Sequence, residues 1–124
     1  MKGLPPVLRE RKRYIAFRLI FNSDIPELEN SSISQKTQIE TRDLALAIWS
    51  NLISLFGDYH SSYSGMWLEE FKEEYGILRC YSHAVDKIKV ALTLTGRVSG
   101  VDVIPVILGV SGTIKKCKSK YLEV

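Results

Sequence analysis

Apolar and polar positions along the 124-residue chain follow two different periods, which separate predicted strands from predicted helices. In the segment Arg13–Phe21 alternate residues are apolar, which is typical of a strand with one buried face. Apolar residues then recur every three to four positions, first in a long stripe and again from Val85 to Leu92. This spacing predicts two amphipathic helices. The strand face comprises Ile15, Phe17, Leu19 and Phe21, and the long stripe comprises Leu44, Ile48, Leu52 and Leu55.

Cap and turn residues indicate where the other elements begin and end. Thr37–Glu40 matches a capping box, so we expect the first helix to begin there, and Gly57 is placed to end it in a left-handed conformation. Two short apolar segments, Gly65–Phe71 and Gly76–Tyr81, predict a hairpin. The apolar run Val101–Val110 predicts the last strand.

The predicted element order is β-α-β-β-α-β, so the fold class is α+β, a ferredoxin-like or RNA-recognition-motif-like sandwich, with residues 1–124 in one domain. Pro105 cannot donate a ladder hydrogen bond, so the last strand is expected at an edge, as this topology requires. The polar stretch 22–36 is predicted to be a mobile surface loop.

Composition limits the class of protein. The chain is 45% apolar and 25% charged, as in globular domains, and it lacks the roughly 18–20 continuous apolar residues of a membrane span. Without an apolar secretory signal we expect a cytoplasmic protein, or a nuclear one in a eukaryote. Two cysteines and two histidines lack the spacing of a zinc site; Cys80 is interpreted as a core residue and Cys117 as a surface thiol.

The net charge of +3 conceals an uneven distribution. A basic N-terminal ribbon, residues 1–13, carries +4, and a basic C-terminal tail, residues 114–124, carries +3, whereas residues 14–113 carry −4. Basic ends on an acidic body favour a localised contact with a polyanion, of which a structured RNA is the leading candidate. Solvated tails without a ligand are the alternative.

The sequence does not support catalysis by this chain. The four glutamates between residues 69 and 74 fit a solvated rim better than a metal cage, and His60 and His83 have no obvious partner. The segment Gly109–Thr113 predicts a turn with Gly112 at positive φ, either alone or with its amides facing a phosphate.

RNA contacts are predicted mainly at the two basic ends. Because Gly76–Tyr81 lacks the aromatic signature of RNA-recognition motifs, we expect recognition of a folded RNA through its backbone rather than stacking of bases on the sheet. Arg79 either reaches the same surface or pairs with a glutamate. The candidate RNA-binding residues are Arg9, Arg11, Lys12, Arg13, Arg79, Lys115, Lys116, Lys118 and Lys120.

Several segments together resemble the ribonuclease P protein component 2 family, which archaeal ribonuclease P shares with the eukaryotic ribonucleases P and MRP. The specific segments are Leu4–Phe17 and Val110–Lys116; Leu55–Gly57, Gly65–Trp67 and Gly76–Cys80 add weaker matches. The resemblance implies a noncatalytic subunit that binds and supports the catalytic RNA in removing the 5′ leader of precursor tRNA. It also implies no active site and no cofactor in this chain, because magnesium ions act through the RNA subunit.

The resemblance further implies the partners: ribonuclease P RNA, ribonuclease P protein component 3, precursor tRNA within the holoenzyme, and self-association. The insert 22–36 departs from a minimal family loop, so no function is carried over there, and the end soon after Tyr121 favours an archaeal member. Three alternatives remain. They are a ribonuclease MRP-type subunit in ribosomal RNA processing, a ferredoxin-like small-ligand regulatory module, and an acylphosphatase-like enzyme, whose loop arginine and glycine are missing from Phe21–Pro26.

Overall fold

The first strand of the chain becomes the centre of an antiparallel sheet. The structure is a computed structural model that describes residues 11–21 and 39–122. Its elements are β1 (Lys12–Phe21), α1 (Thr41–Ser62), β2 (Trp67–Lys72), β3 (Tyr75–Tyr81), α2 (Val85–Thr93), β4 (Arg97–Val98), β5 (Val101–Ser111) and α3 (Ile114–Cys117). A 3-10 turn, Ser82–Ala84, precedes α2, and a π-helical turn, Lys118–Leu122, follows α3. The sheet order is β2-β3-β1-β5-β4, which confirms the predicted α+β ferredoxin-like class.

Strand β4 was not predicted, because two residues between turns carry no alternating pattern. It pairs with β5 only at Val101 and Asp102. Val103 donates its amide hydrogen to the Gly96 carbonyl at 3.0 Å, on the side away from β1. Pro105 lies two residues further along, so its nitrogen points to the same outer side, past the end of β4. The prediction that the last strand lies at an edge of the sheet is wrong, because β4 is the edge strand and borders the beginning of β5; Pro105 itself lies past the end of β4.

Helices α1 and α2 cover one face of the sheet and form the main core with it. The predicted strand face is confirmed, since Ile15, Phe17, Leu19 and Phe21 are fully buried. Burying each such side chain stabilises the fold by about 1.5–3 kcal/mol. The helices contribute buried side chains from Leu44, Ile48, Leu52, Ile88, Ala91 and Leu92. None of the helices in the described residues is long and apolar enough to cross a membrane.

The limits of α1 differ from the prediction. The helix begins at Thr41 with Glu40 as N-cap and no side-chain cap hydrogen bond, so the capping-box prediction is wrong; Thr37 itself lies outside the described residues. The chain enters the helix later because Ile39, only 7% exposed, joins the core just before the first turn. Gly57 has the expected positive φ of 84° and, with a ψ of 168°, interrupts the helix as predicted; helical turns resume after this kink and run to Ser62. Leu55 is 45% exposed and lies outside the core stripe.

The C-terminal segment, defined here as Ile114–Leu122, packs on the other face of the sheet. A second buried cluster forms there from Ala16, Ile77 and Cys117, and Tyr14, Leu108, Tyr121 and Leu122 pack against it. Cys117 is fully buried, with its Sγ 3.8 Å from the Tyr14 carbonyl oxygen, so its interpretation as a surface thiol is wrong. Gly109 permits this packing, because a Cβ there would lie 2.1 Å from the Tyr121 ring.

Two further predictions fall on the turn and the loop. The predicted positive φ at Gly112 is wrong, because among the described glycines only Gly57, Gly65 and Gly100 have one. Thr113 is extended (φ −141°, ψ 156°) and caps the start of the C-terminal segment. The predicted mobile loop 22–36 lies outside the described residues. The beginning of the N-terminal ribbon, residues 1–10, also lies outside them.

Candidate nucleic-acid interface

The two basic ends of the sequence meet at one edge of the folded domain. Strands β1 and β5 are antiparallel neighbours, and Tyr14 of β1 lies opposite Ser111 of β5. The residues Arg11–Arg13 therefore lie beside the turn Ser111–Thr113, and together with Val110 they line an open groove of about 650 Å³. A second groove of about 670 Å³ continues on the other side of the turn, lined by Val110, Ser111, Gly112, Lys115, Lys116, Ser119 and Lys120.

The C-terminal segment presents its lysines outward because other side chains hold it to the sheet. The Thr113 Oγ1 accepts a hydrogen bond from the Lys116 amide at 3.1 Å and so caps the first turn. Cys117 and Tyr121 then point into the second cluster. Lys115 and Lys116 remain exposed between these anchors.

We define the basic edge as Arg11, Lys12, Arg13, Lys115, Lys116 and Lys120. Within the described part of the chain, none of these six cationic side chains lies in an ion pair. Lys120 instead lies over the Tyr121 ring, with its Nζ 5.7 Å from the centroid. The Arg13 guanidinium donates to the Lys12 carbonyl oxygen at 2.9 Å. Uncompensated cations along two adjoining grooves produce a positive field that suits a polyanion.

Two predicted contact residues are already paired with carboxylates. The Lys118 Nζ lies 3.1 Å from Glu70, and the Arg79 guanidinium lies 3.2 Å from Glu69. Of the two alternatives for Arg79, pairing with a glutamate is the one that the structure contains. Arg79 also lies over the Trp67 ring, 5.9 Å from its centroid. Arg9, the remaining candidate, lies outside the described residues.

The acidic rim and the histidines contact separate neighbours in the described part of the chain. Glu74 pairs with Arg18, and Glu73 is exposed at the β2–β3 turn with a positive φ of 60°. His60 packs edge-on against Tyr59, and His83 stacks on Tyr81. Across the described residues, no three His, Cys, Asp or Glu side chains converge as metal ligands would.

The two buried thiols are poor nucleophiles at neutral pH. Burial raises the pKa of the Cys80 thiol from 9.0 to about 11. Burial also raises the pKa of the Cys117 thiol. Nucleophilic cysteines need the thiolate form, which these environments disfavour.

Trp67 is an exposed aromatic residue that was not among the predicted site residues. Trp67 is 58% exposed at the start of β2, and its side chain lies on the sheet face opposite to that of the buried Leu68. One signal could have identified it: the tryptophan stands at an outward-facing position of a predicted strand. In the structure it lies opposite Arg79 in the register of β2 and β3.

The fold and the basic edge define a small α+β protein with a concentrated cationic surface. The profile of the Rpp14/Pop5 family matches residues 13–122. Ribonuclease P protein component 2 of Archaeoglobus fulgidus is 53% identical to this chain and covers 100% of both chains. The proteins of the same description from Methanocaldococcus jannaschii and Pyrococcus furiosus are 36% and 35% identical over 100% and 98% of this chain and 82% and 92% of their own. This chain belongs to the Rpp14/Pop5 family.

The structural comparison agrees with this fold. A chain in the cryo-EM structure of yeast ribonuclease MRP aligns with a TM-score of 0.64 at 13% sequence identity, covering 100% of this chain and 83% of that one. The predicted resemblance to the ribonuclease P protein component 2 family is confirmed, and with it the predicted class of function, a protein subunit of ribonuclease P.

Proposed function

We propose that this chain is an accessory, noncatalytic subunit that binds ribonuclease P RNA through its basic edge and supports that RNA in removing the 5′ leader of precursor tRNA. The observation that carries the proposal is the junction of the two basic ends. Six cationic side chains without a carboxylate partner among the described residues surround one turn, although the rest of the sequence is acidic. A solvated tail would not be anchored to the sheet by a buried Cys117 and a partly buried Tyr121.

The role of the basic edge is electrostatic. Phosphates approach one another where RNA strands converge, and their repulsion opposes the active shape of the RNA. Lysine and arginine side chains at that place replace condensed counterions, and the released ions favour binding entropically. The protein would therefore lower the magnesium concentration that the RNA needs. Magnesium ions themselves would act through the RNA, with no cofactor bound by this chain.

The proposed partners are ribonuclease P protein component 3 and precursor tRNA within the holoenzyme, with possible self-association, and the proposed location is the cytoplasm. Exposed apolar side chains on the helix layer support a protein partner there, because such side chains mark protein contact surfaces. This layer lies on the opposite side of the sheet from the C-terminal segment, so a protein partner and RNA could bind at the same time. They are Leu46, Leu55, Val90 and Leu94.

The test is cleavage of precursor tRNA by the cognate ribonuclease P RNA at limiting magnesium. The RNA is assayed alone, with component 3, and with component 3 plus this chain. Strong activation is expected only when this chain is present. A ribosomal RNA precursor as second substrate distinguishes the ribonuclease MRP-type role. Equal cleavage with and without this chain, with both proteins folded by circular dichroism, contradicts the proposal.

A further inference from the structure

Trp67 is an exposed aromatic side chain that the core does not use. It lies at the first position of β2, where Leu68 supplies the side chain that packs against the helices. Trp67 is 58% exposed, whereas Leu68 is 7% exposed. A tryptophan ring that remains largely in water forgoes most of the hydrophobic stabilisation that it offers, so a ligand that covers it would gain that stabilisation.

Arg79 lies over the Trp67 ring, so the two side chains form one stacked pair. The two residues are direct neighbours across β2 and β3, and the guanidinium lies 5.9 Å from the centre of the indole ring. Glu69 holds the guanidinium at 3.2 Å and balances its charge. A charge-balanced arginine is a weak phosphate ligand, but its plane remains suitable for stacking.

This surface lies in the same row of the sheet as the basic edge. The register places Trp67 opposite Arg79, Arg79 opposite Tyr14, and Tyr14 opposite Ser111. Neighbouring strands are about 4.8 Å apart, so the backbone of Trp67 lies about 14 Å from the turn between the two grooves. A nucleic-acid strand whose phosphates contact the basic edge can therefore bring a base to Trp67 within a few nucleotides.

The C-terminal segment explains why the stacking position lies at the rim. It covers the centre of this sheet face by packing on Ala16 and Ile77, so no base can reach that centre. The expectation that bases do not stack on the sheet was made for the whole face, and the proposal below departs from it at the rim. Trp67 lies beyond the covered region, at the free edge of β2.

We propose that Trp67 and Arg79 form a stacking platform for one unpaired nucleobase of the bound RNA. The inference rests on the proposed function and assigns a subsite to it. Stacking uses the face of a base and not its edge, so the platform accepts any of the four bases. The basic edge provides the phosphate contacts, and the platform distinguishes an unpaired nucleotide from a duplex.

The chain offers a direct reporter, because Trp49 and Trp67 are its only tryptophans. In the full-length variant Trp49→Phe, all tryptophan fluorescence comes from Trp67. The probes are an oligoadenylate of about ten nucleotides, an abasic oligonucleotide with the same number of phosphates, and a blunt RNA duplex. Binding is followed independently by the anisotropy of a label on each probe. Saturating quenching by the oligoadenylate is expected, without quenching by the abasic strand or the duplex. Binding of the oligoadenylate without quenching overturns the proposal.

Affinity gives a second measurement. Trp67→Ala is expected to weaken oligoadenylate binding about 5- to 100-fold and to leave abasic-strand binding unchanged, since stacking contributes on that scale per base. Trp67→Phe keeps an aromatic face and is expected to retain most of the affinity, which separates stacking from misfolding. Equal losses for both variants on all probes overturn the proposal.

The outcomes separate this inference from the proposed function. Loss of all RNA binding by the wild-type chain would end both. Salt-dependent RNA binding that needs Lys115 and Lys116 but leaves Trp67 fluorescence unchanged would end only the platform. A fluorescence change with component 3, in place of one with RNA, would identify Trp67 as a protein contact and would also overturn the platform.

Discussion

The variant Lys115→Gln/Lys116→Gln tests whether the basic edge contacts phosphates. Both side chains are exposed on the C-terminal segment and line the second groove, and neither pairs with a carboxylate among the described residues. Glutamine keeps side-chain length and helix propensity while removing the charge. We therefore expect the fold to be unchanged and RNA binding to weaken most at low salt.

The magnitude follows from the number of phosphate contacts. Each contact contributes about 0.7–0.9 to the slope of log affinity against log salt, so two contacts flatten the slope by about 1.4–1.8. Over a fourfold change in salt, from about 50 to 200 mM, the affinity of the wild-type chain should fall about 7- to 12-fold more than that of the variant.

The assay is a salt titration of binding to ribonuclease P RNA by filter retention or fluorescence anisotropy. Lys87→Gln/Lys89→Gln is the matched control, because it removes the same net charge from α2 on the opposite side of the sheet. A second control, Glu70→Gln/Lys118→Gln, removes a 3.1 Å ion pair without changing the net charge. Both controls are expected to leave the slope within a few tenths of the wild-type value.

Equal flattening by the α2 variant would refute the reasoning, because the effect would then follow net charge and not a located contact. An unchanged slope for the Lys115 and Lys116 variant would also refute it. Weaker binding at every salt concentration, with an unchanged slope, would indicate a contact of another kind.

Two further predictions concern stability. Gly109→Ala places a Cβ 2.1 Å from the Tyr121 ring and should detach the C-terminal segment, lowering the free energy of unfolding in urea by about 1–3 kcal/mol and weakening RNA binding. Gly112→Ala, whose Cβ meets nothing within 4 Å, should leave the free energy of unfolding unchanged, and an equal loss of stability would contradict the packing argument. The raised pKa of the Cys80 thiol means that the folded protein retains a proton that the unfolded chain releases. The stability that this proton contributes is fully present below pH 9, and about 2–3 kcal/mol of the free energy of unfolding should be lost as the pH rises to about 11. Urea unfolding of Cys80→Ala should lack this loss, and identical pH profiles would refute the assignment.

Sequence patterns predicted the parts of the fold that depend on local periodicity. The alternation in Arg13–Phe21 and the stripe from Leu44 to Leu52 reflect which side chains the core removes from water, so both were correct. Helix limits were less certain because tertiary burial decides them. Ile39 is drawn into the core and Glu40 is extended, so the helix begins at Thr41 and not within the predicted capping box.

The candidate site could be predicted only in its composition. Charge counts identified the basic ends, but their meeting depends on the β1–β5 register, which joins residues at opposite ends of the chain. The C-terminal segment reads as a charged tail because its anchors, Cys117 and Tyr121, are separated by lysines. The register of β2 against β3 shifts between Leu68 and Glu70, and the pairing of Arg79 with Glu69 lies at this irregularity. The alternation of residues in the sequence could not show which glutamate Arg79 contacts.

The pairing of β1 with β5 has a consequence for biosynthesis. Strand β1 leaves the ribosome before its neighbour β5 is translated, and the contact between Cys117 and Tyr14 spans 103 positions. Contacts of such separation form late and slowly, because a long loop must close before they provide stabilisation. The basic edge therefore exists only after translation of the sheet is complete. A chain truncated before β5 would carry Arg11–Arg13 but would lack the second half of the surface.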